Sequence, residues 1–211
     1  MNISQEDILL FTTSLKKYSN YDLAEYSEKS LARRLEKLLN DLKIDIHTLI
    51  AKMRNNPEMI EKVIKDITVN TTELFRDPKA WETLKYIMLP KLKDNVVINI
   101  WHAGCSTGQE VYSMMILLNE LSMLEKTKIY ATDINTDVIE EAKRGVYKYK
   151  SNSNYLEAFD RVIKQNPYNA SEKSEVPYTK YFEIDKTQDL IKMKQFLREK
   201  PVFRKHDLVS S

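Results

Sequence analysis

The feature that most limits the fold of this chain is the region 95–134, where two apolar runs enclose a glycine-containing turn and a helical pattern. The first run, NVVINIW (95–101), is rich in β-branched residues and predicts a strand that is buried on both faces. The turn AGCSTGQE (103–110) follows, and it contains two of the three glycines in the chain. Apolar residues then recur with helical spacing before a second strand-like run, KIYATDI (128–134). This order predicts an α/β fold with a parallel sheet and a ligand site at the glycine turn.

The segment before this region is predicted to be entirely helical. Residues 1–67 contain four stretches with apolar residues at helical spacing, and two of them begin with N-cap signals, at Ser4 and at Asn56-Pro57. The second stretch has basic residues off its apolar stripe: Arg33, Arg34 and Lys37. Four short helices of this kind predict a small all-α domain.

The segment after this region returns to the sheet. A helix is predicted to end at Gly145, after which residues 148–201 become polar and tyrosine-rich, with VPYTKYFEI (176–184) as an exposed strand. The run VFRKHDL (202–208) predicts a third core strand. We therefore expect a helical N-terminal domain (1–67) and an α/β domain (68–211) that carries a small β-subdomain insert (148–201).

Composition excludes several classes of protein. The net charge is +2, so no strong field favours nucleic acid or an anionic membrane, and no apolar run reaches the roughly 20 residues that span a bilayer. A single cysteine, Cys105, and the absence of a secretory signal predict a cytoplasmic protein without disulfides. The three histidines, His47, His102 and His206, show no metal-ligand spacing, so we expect structural roles for them and no bound metal. Cys105 is expected to be a small loop residue and not a nucleophile.

The acidic residues around the turn indicate which ligand it binds. The chain lacks both G-K-[ST] and G-x-G-x-x-G, which disfavours a phosphate-binding P-loop and a nicotinamide dinucleotide. Glu110 begins the following helix, where a carboxylate suits an ammonium group, and Asp133 ends the second strand, where an acid can accept hydrogen bonds from ribose hydroxyls. A ribose and a cationic amino acid together indicate S-adenosylmethionine. Two structural alternatives stay open: Glu110 forms a capping box with Thr107, and Asp133 caps the helix near Asn135.

Four motifs together resemble the CheR family of chemotaxis-receptor glutamate methyltransferases: TVNTTELFRDP, INIWHAGCSTGQEVYS, IYATDINTDVIEEAKRGVY and VFRKHDL. The resemblance covers most of the chain, including the helical segment, and implies a Rossmann-like methyltransferase domain. It implies cofactor contacts from nine residues, of which Arg76 also takes part in catalysis: Asn70, Thr72, Arg76, Ala103, Glu110, Asp133, Ile134, Asp207 and Leu208. The cofactor would be S-adenosylmethionine, the product S-adenosylhomocysteine, and the acceptor a glutamate side chain of a chemotaxis receptor.

The resemblance also implies partners. The helix with Arg33, Arg34 and Lys37 would offer positive charge to the acidic helical bundle of the receptor. The insert lacks glycine, which favours an enzyme that acts without binding a receptor tail peptide. The family pattern continues beyond VFRKHDL, so we expect a C-terminally truncated sheet with an apolar edge that favours self-association. The alternative functions are a catalytically incomplete S-adenosylmethionine-binding or signalling-interaction module, a nicotinamide oxidoreductase and a methyltransferase for nucleic acid.

Overall fold

The computed structural model describes residues 3–19, 21–23, 26–68, 72–152 and 154–208. The described residues form two compact units. One comprises residues 3–68 together with 207 and 208, and the other comprises residues 72–206.

The first unit is built from four helices: α1 (Gln5–Tyr18), α2 (Glu28–Leu42), α3 (Ile46–Met53) and α4 (Pro57–Ile67). Both predicted N-caps are confirmed, since Ser4 and Asp7 form a capping box on α1 and Asn56 accepts a hydrogen bond from the backbone N–H of Met59 on α4. Each helix buries one apolar stripe, and α2 buries Leu31, Leu35, Leu38 and Leu39. Among the described residues, no helix is both long and apolar enough to cross a membrane.

The second unit contains five helices and six strands among its described residues. In chain order they are α5 (Pro78–Thr83), β1 (Ile98–Ala103), α6 (Gln109–Glu120), β2 (Thr127–Asp133), α7 (Thr136–Arg144), β3 (Val146–Lys148), α8 (Asn154–Phe159), β4 (Phe182–Asp185), β5 (Leu190–Met193), α9 (Gln195–Glu199) and β6 (Val202–Lys205). Helix α5 continues as a π-helical turn (Leu84–Met88) and a 3-10 turn (Leu89–Leu92), and a second π-helical turn (Asp160–Lys164) follows α8. The mixed α/β fold class with an all-α N-terminal segment is thus confirmed.

The main sheet is parallel, with strand order β1-β2-β6. In register across the three strands lie Trp101, Tyr130 and Val202, and all three side chains are substantially exposed, at 55%, 42% and 42%. The prediction that 95–101 is buried on both faces is therefore wrong: β1 alternates between buried residues such as Ile98 and exposed ones such as Trp101. Only one face of the described sheet is buried, and α7 packs against β2 and β6.

A second sheet is antiparallel, with strand order β3-β5-β4. The predicted exposed strand at 176–184 is wrong in its extent, because Tyr178–Lys180 form a 3-10 turn and β4 begins only at Phe182. Tyr181 and Phe182 are also buried, where they surround the ring of Phe159. Aromatic packing, which periodicity does not reveal, therefore decides where this strand starts.

Candidate functional site

The candidate site lies at the carboxyl end of β1, where the loop to α6 begins. Gly104 adopts φ +77°, and a Cβ built on it would meet no atom within 4 Å. The backbone N–H groups of Gly104 and Cys105 both donate to the carbonyl oxygen of Thr132, each at 2.8 Å. The loop is therefore tied to β2 while leaving open space at Gly104, as backbone that approaches a ligand requires.

Gly108, the second glycine of this turn, does not lie beside open space. It adopts φ +91° and is buried, and a Cβ there would lie 2.8 Å from the Cβ of Ala142 on α7. Gly145 shows the same close packing, since its Cβ would lie 2.7 Å from the hydroxyl oxygen of Tyr112. That hydroxyl donates to the carbonyl oxygen of Ala142 at 2.5 Å. These glycines allow α7 to pack directly against the loop and α6, so Gly108 does not provide room for a ligand.

Asp133 connects the loop after β1 to the loop after β2, at the carboxyl ends of these strands. Its Oδ2 accepts a hydrogen bond from the backbone N–H of Ser106 at 2.8 Å, and its Oδ1 accepts one from the backbone N–H of Asn135 at 2.9 Å. The N-cap of α7 is Asn135, which accepts from the backbone N–H of Asp137, so Asp133 is not the cap. Each carboxylate oxygen has about two lone-pair sites, which leaves acceptor capacity on both for a further donor.

Glu110 lies in the first turn of α6, and its side chain is 60% exposed. Its Oε1 is 2.9 Å from Nδ1 of His102, whose side chain is 4% exposed. This hydrogen bond lowers the pKa of Glu110 against a smaller opposing effect of burial, and the charge of Arg76 lowers it further. The capping-box alternative is not what forms, because the N-cap of α6 is Gly108 and the hydroxyl of Thr107 donates to Oε1 of Gln109.

Arg76 lies in a turn that packs against α6. The backbone N–H of Phe75 donates to Oγ of Ser113 at 2.8 Å, and the indole N–H of Trp81 donates to the carbonyl oxygen of Arg76 at 2.8 Å. The Arg76 side chain is exposed, and no ion pair joins it to Asp77 in the described part of the chain. The turn thus presents a guanidinium group within electrostatic range of Glu110.

The remaining residues that the sequence predicts as cofactor contacts differ in burial and in the unit to which they belong. Thr72 and Ile134 are half-buried and Ala103 is exposed, whereas Asn70 lies outside the described residues. Asp207 and Leu208 follow β6 after one intervening residue, and they group with the first compact unit and not with residues 72–206. Their role at an adenine ring stays a prediction.

Cys105 behaves as an inert loop residue. The thiol is buried, and desolvation together with the charge of Asp133 raises its pKa to about 12. A thiol with this pKa is protonated at neutral pH and is a poor nucleophile. This agrees with the expectation from sequence.

The basic residues of α2 divide into two groups. Arg33 and Lys37 are exposed, but Arg34 is half-buried and donates from its guanidinium to the carbonyl oxygen of Thr68 at 3.0 Å. Arg34 therefore ties α2 to the end of α4.

Sequence reasoning did not predict the contact between His102 and Glu110, since only a structural role was expected for this histidine. His102 lies near the end of β1 and on the buried face of that strand. Eight residues separate it from Glu110, however, and no periodic pattern predicts a contact across an irregular loop.

Comparisons with known proteins agree with this fold. Two family models match the chain: the CheR methyltransferase SAM-binding domain over residues 70–211, and the CheR methyltransferase all-alpha domain over residues 6–68. A methyltransferase named Cher3 from Pseudomonas putida is 38% identical over 159 residues, which are 75% of this chain and 58% of that protein. A chemotaxis protein methyltransferase from Borreliella burgdorferi is 30% identical over 208 residues, which are 91% of this chain and 66% of that protein.

A chemotaxis protein methyltransferase from Listeria monocytogenes is 27% identical over 147 residues, which are 68% of this chain and 56% of that protein. The chain thus spans between 56% and 66% of the length of these three relatives. Because both family models match in order and together cover most of the described helices and strands, this chain belongs to the CheR methyltransferase family.

Proposed function

We propose that this chain acts as an S-adenosylmethionine-dependent O-methyltransferase for glutamate side chains of chemotaxis receptors, without a metal. The observation that carries the proposal is the group of residues at the carboxyl ends of β1 and β2. The open backbone at Gly104 lies in the loop after β1, the exposed carboxylate of Glu110 lies in the first turn of α6, and the carboxylate of Asp133 bonds to the loop.

The donor set fits the proposed cofactor. An ammonium group offers only donors, and Glu110 is an acceptor whose pKa is lowered, so it carries a negative charge at neutral pH. Ribose hydroxyls need acceptors, and Asp133 retains acceptor capacity on both oxygens. Gly104 has no side chain and has free space where a Cβ would lie, which leaves room for a ligand beside the backbone.

The proposed mechanism depends on alignment of the substrate carboxylate by Arg76. The cofactor supplies an electrophilic methyl group when bound. A substrate glutamate has a pKa near 4.3 and is already ionised at neutral pH, so no general base is needed. Arg76 orients that carboxylate, and correct alignment can contribute roughly 7–11 kcal/mol to lowering the barrier. The guanidinium must not stabilise the ionised carboxylate too strongly, since tight ground-state binding slows transfer.

Titration calorimetry tests the cofactor. S-adenosylhomocysteine should bind, NAD should not, and a Glu110→Gln variant should bind S-adenosylhomocysteine more weakly. Tight binding of NAD would overturn the assignment and favour an oxidoreductase.

Methyl transfer tests the reaction. Radiolabelled methyl groups should appear on receptor membranes as a base-labile product. Binding of S-adenosylhomocysteine without any transfer would favour the alternative, a binding or signalling module. Arg76→Ala should reduce transfer much more than cofactor affinity, and equal losses in both would reject its role. Arg144→Ala, which removes an exposed guanidinium from the end of α7, is a suitable control.

For the receptor partner, we propose that α2 docks on the acidic helical bundle through Arg33 and Lys37. Both side chains are exposed, whereas Arg34 already bonds to the carbonyl of Thr68 and contributes charge only from a fixed position. Arg33→Glu with Lys37→Glu should abolish co-sedimentation with receptor membranes at low salt. Lys52→Glu reverses an exposed charge on α3 and should not do so. Equal losses in both variants would indicate a general charge effect.

The exposed edge of the sheet supports a further proposal, self-association. In the described residues β1 pairs only with β2, and Val97, directly before β1, is exposed. Sedimentation velocity should show a concentration-dependent dimer that Val97→Lys weakens. A monomer at every concentration would contradict this proposal without affecting the others. The domain boundaries at 67 and 68 and the insert at 148–201 stay predictions.

A further inference from the structure

The contact between His102 and Glu110 joins a buried side chain to an exposed one. The histidine side chain is 4% exposed, the glutamate side chain is 60% exposed, and Nδ1 and Oε1 are 2.9 Å apart. The two residues come from different elements, His102 from the end of β1 and Glu110 from the first turn of α6. The contact therefore spans the loop that contains Gly104.

Because the ring of His102 is buried, the histidine orients the glutamate in this contact. Strand alternation places His102 on the covered face of the sheet, together with Ile98, so packing holds the ring in place. A glutamate that is mostly exposed would otherwise sample several rotamers. Since the anchored partner is the histidine, the hydrogen bond restricts the glutamate and not the reverse.

The hydrogen bonds of the two ring nitrogens also indicate that His102 orients Glu110. Nε2 of His102 is buried and has no hydrogen-bond partner among the described residues. The hydrogen bond to Glu110 is thus the one that the ring makes there, and it uses a single carboxylate oxygen, Oε1. Packing alone would be served equally well by an apolar side chain, which would leave no buried nitrogen unpaired. Oε2 of Glu110 takes no hydrogen bond in the described structure and is available to a ligand.

We propose that His102 is a positioning residue that fixes the carboxylate of Glu110 for the ammonium group of the cofactor. This inference rests on the proposed function, because it deepens the role assigned there to Glu110. The residue therefore contributes to specificity for the amino acid part of the ligand and not to binding of the adenosine part.

The test compares two ligands. S-adenosylhomocysteine carries the amino acid group, and 5′-methylthioadenosine has the same adenosine and thioether without it. By titration calorimetry, His102→Leu should weaken binding of S-adenosylhomocysteine by about 3- to 10-fold, the factor expected for immobilising one flexible side chain on binding. Affinity for 5′-methylthioadenosine should not change. Equal weakening for both ligands would show a merely structural role and overturn the inference, as would no weakening for either.

Two conservative variants keep the test decisive if His102→Leu does not fold. His102→Asn places an amide close to the position of Nδ1 and should retain the affinity for S-adenosylhomocysteine. His102→Gln places its amide closer to the position of Nε2 and should not. Equal affinities of the two variants would overturn the inference.

A readout without ligand and a control separate this inference from the proposed function. In a carboxyl 13C NMR titration, the pKa of Glu110 should rise in His102→Leu, and an unchanged pKa would overturn the contact. In a Glu110→Gln background, His102→Leu should cause no further loss of affinity. If Glu110→Gln itself leaves the affinity for S-adenosylhomocysteine unchanged, the proposed function fails. If only the His102 variants have no effect, the positioning role alone fails.

Discussion

Gly108→Ala tests the close packing of α7 against the loop after β1. An alanine at φ +91° is strained by about 1–2 kcal/mol, because L residues rarely adopt this conformation. Its Cβ would also lie 2.8 Å from the Cβ and 3.2 Å from the Cα of Ala142, so α7 must shift, and such overpacking costs about 1–3 kcal/mol. The two effects together should lower the free energy of unfolding by about 2–5 kcal/mol.

Urea unfolding followed by tryptophan fluorescence measures this effect, since both tryptophans, Trp81 and Trp101, lie in the second unit. With an m-value of about 2 kcal/mol/M, the midpoint should fall by about 1–2.5 M. Gly104→Ala is the matched control, because φ is +77° there but no atom lies within 4 Å of the added Cβ. It should cost only the backbone strain of about 1–2 kcal/mol.

Equal losses for Gly108→Ala and Gly104→Ala would refute the packing argument. A double-mutant cycle provides a second check, because Ala142→Gly removes the Cβ that the new methyl group would meet. The glycine itself costs about 1 kcal/mol in the helix, so the comparison is made with Ala142→Gly alone. The cycle should give a favourable coupling of about 1–2 kcal/mol, and additive effects would contradict the proposed contact.

Three further predictions concern buried polar groups of the second unit. Asp133→Asn should lower the free energy of unfolding by about 2–3 kcal/mol in the same assay, because an amide offers one acceptor oxygen for the two backbone N–H groups of Ser106 and Asn135; a loss below about 1 kcal/mol would contradict this. Lys85 is buried and donates to two carbonyl oxygens of the second π-helical turn, and desolvation lowers its pKa. The unfolded chain therefore binds more protons than the folded one between the folded pKa and the usual value near 10.5, so stability relative to Lys85→Met should rise with pH in that window; parallel profiles of the two proteins would refute this. Cys105, with its pKa raised to about 12, should resist iodoacetamide at pH 8 in the folded protein and react in denaturant, as mass spectrometry would show.

Much of the fold could be predicted because it depends on local chemistry. Ser4 with Asp7 and Asn56 with Pro57 cap helices through contacts within four residues, and such contacts form in the same way in most settings. Gly145 ends α7 in the left-handed conformation for the same reason. The faces of the strands were harder to predict, since the exposure of Trp101 depends on which elements cover the sheet and not on its own sequence.

The candidate site could be predicted in its residues but not in its contacts. The order of strand, turn and helix places Glu110 and Asp133 at one edge of the sheet, because parallel strands bring their carboxyl ends together. The partners of these acids lie elsewhere in the chain. Glu110 meets His102 across the loop, and Asp133 meets the backbone of Ser106, 27 residues before it.

Local patterning in the amino-acid order was enough to establish the α/β architecture, the helix ends at Ser4, Asn56 and Gly145, and the acids near the glycine turn, since these follow from short-range sterics and periodicity. Three-dimensional packing assigned the individual roles: open backbone at Gly104, close packing at Gly108, and a buried histidine behind Glu110. The physical reason is that contacts between distant segments depend on where whole elements pack, and the residues at each end of such a contact carry no pattern that identifies the other.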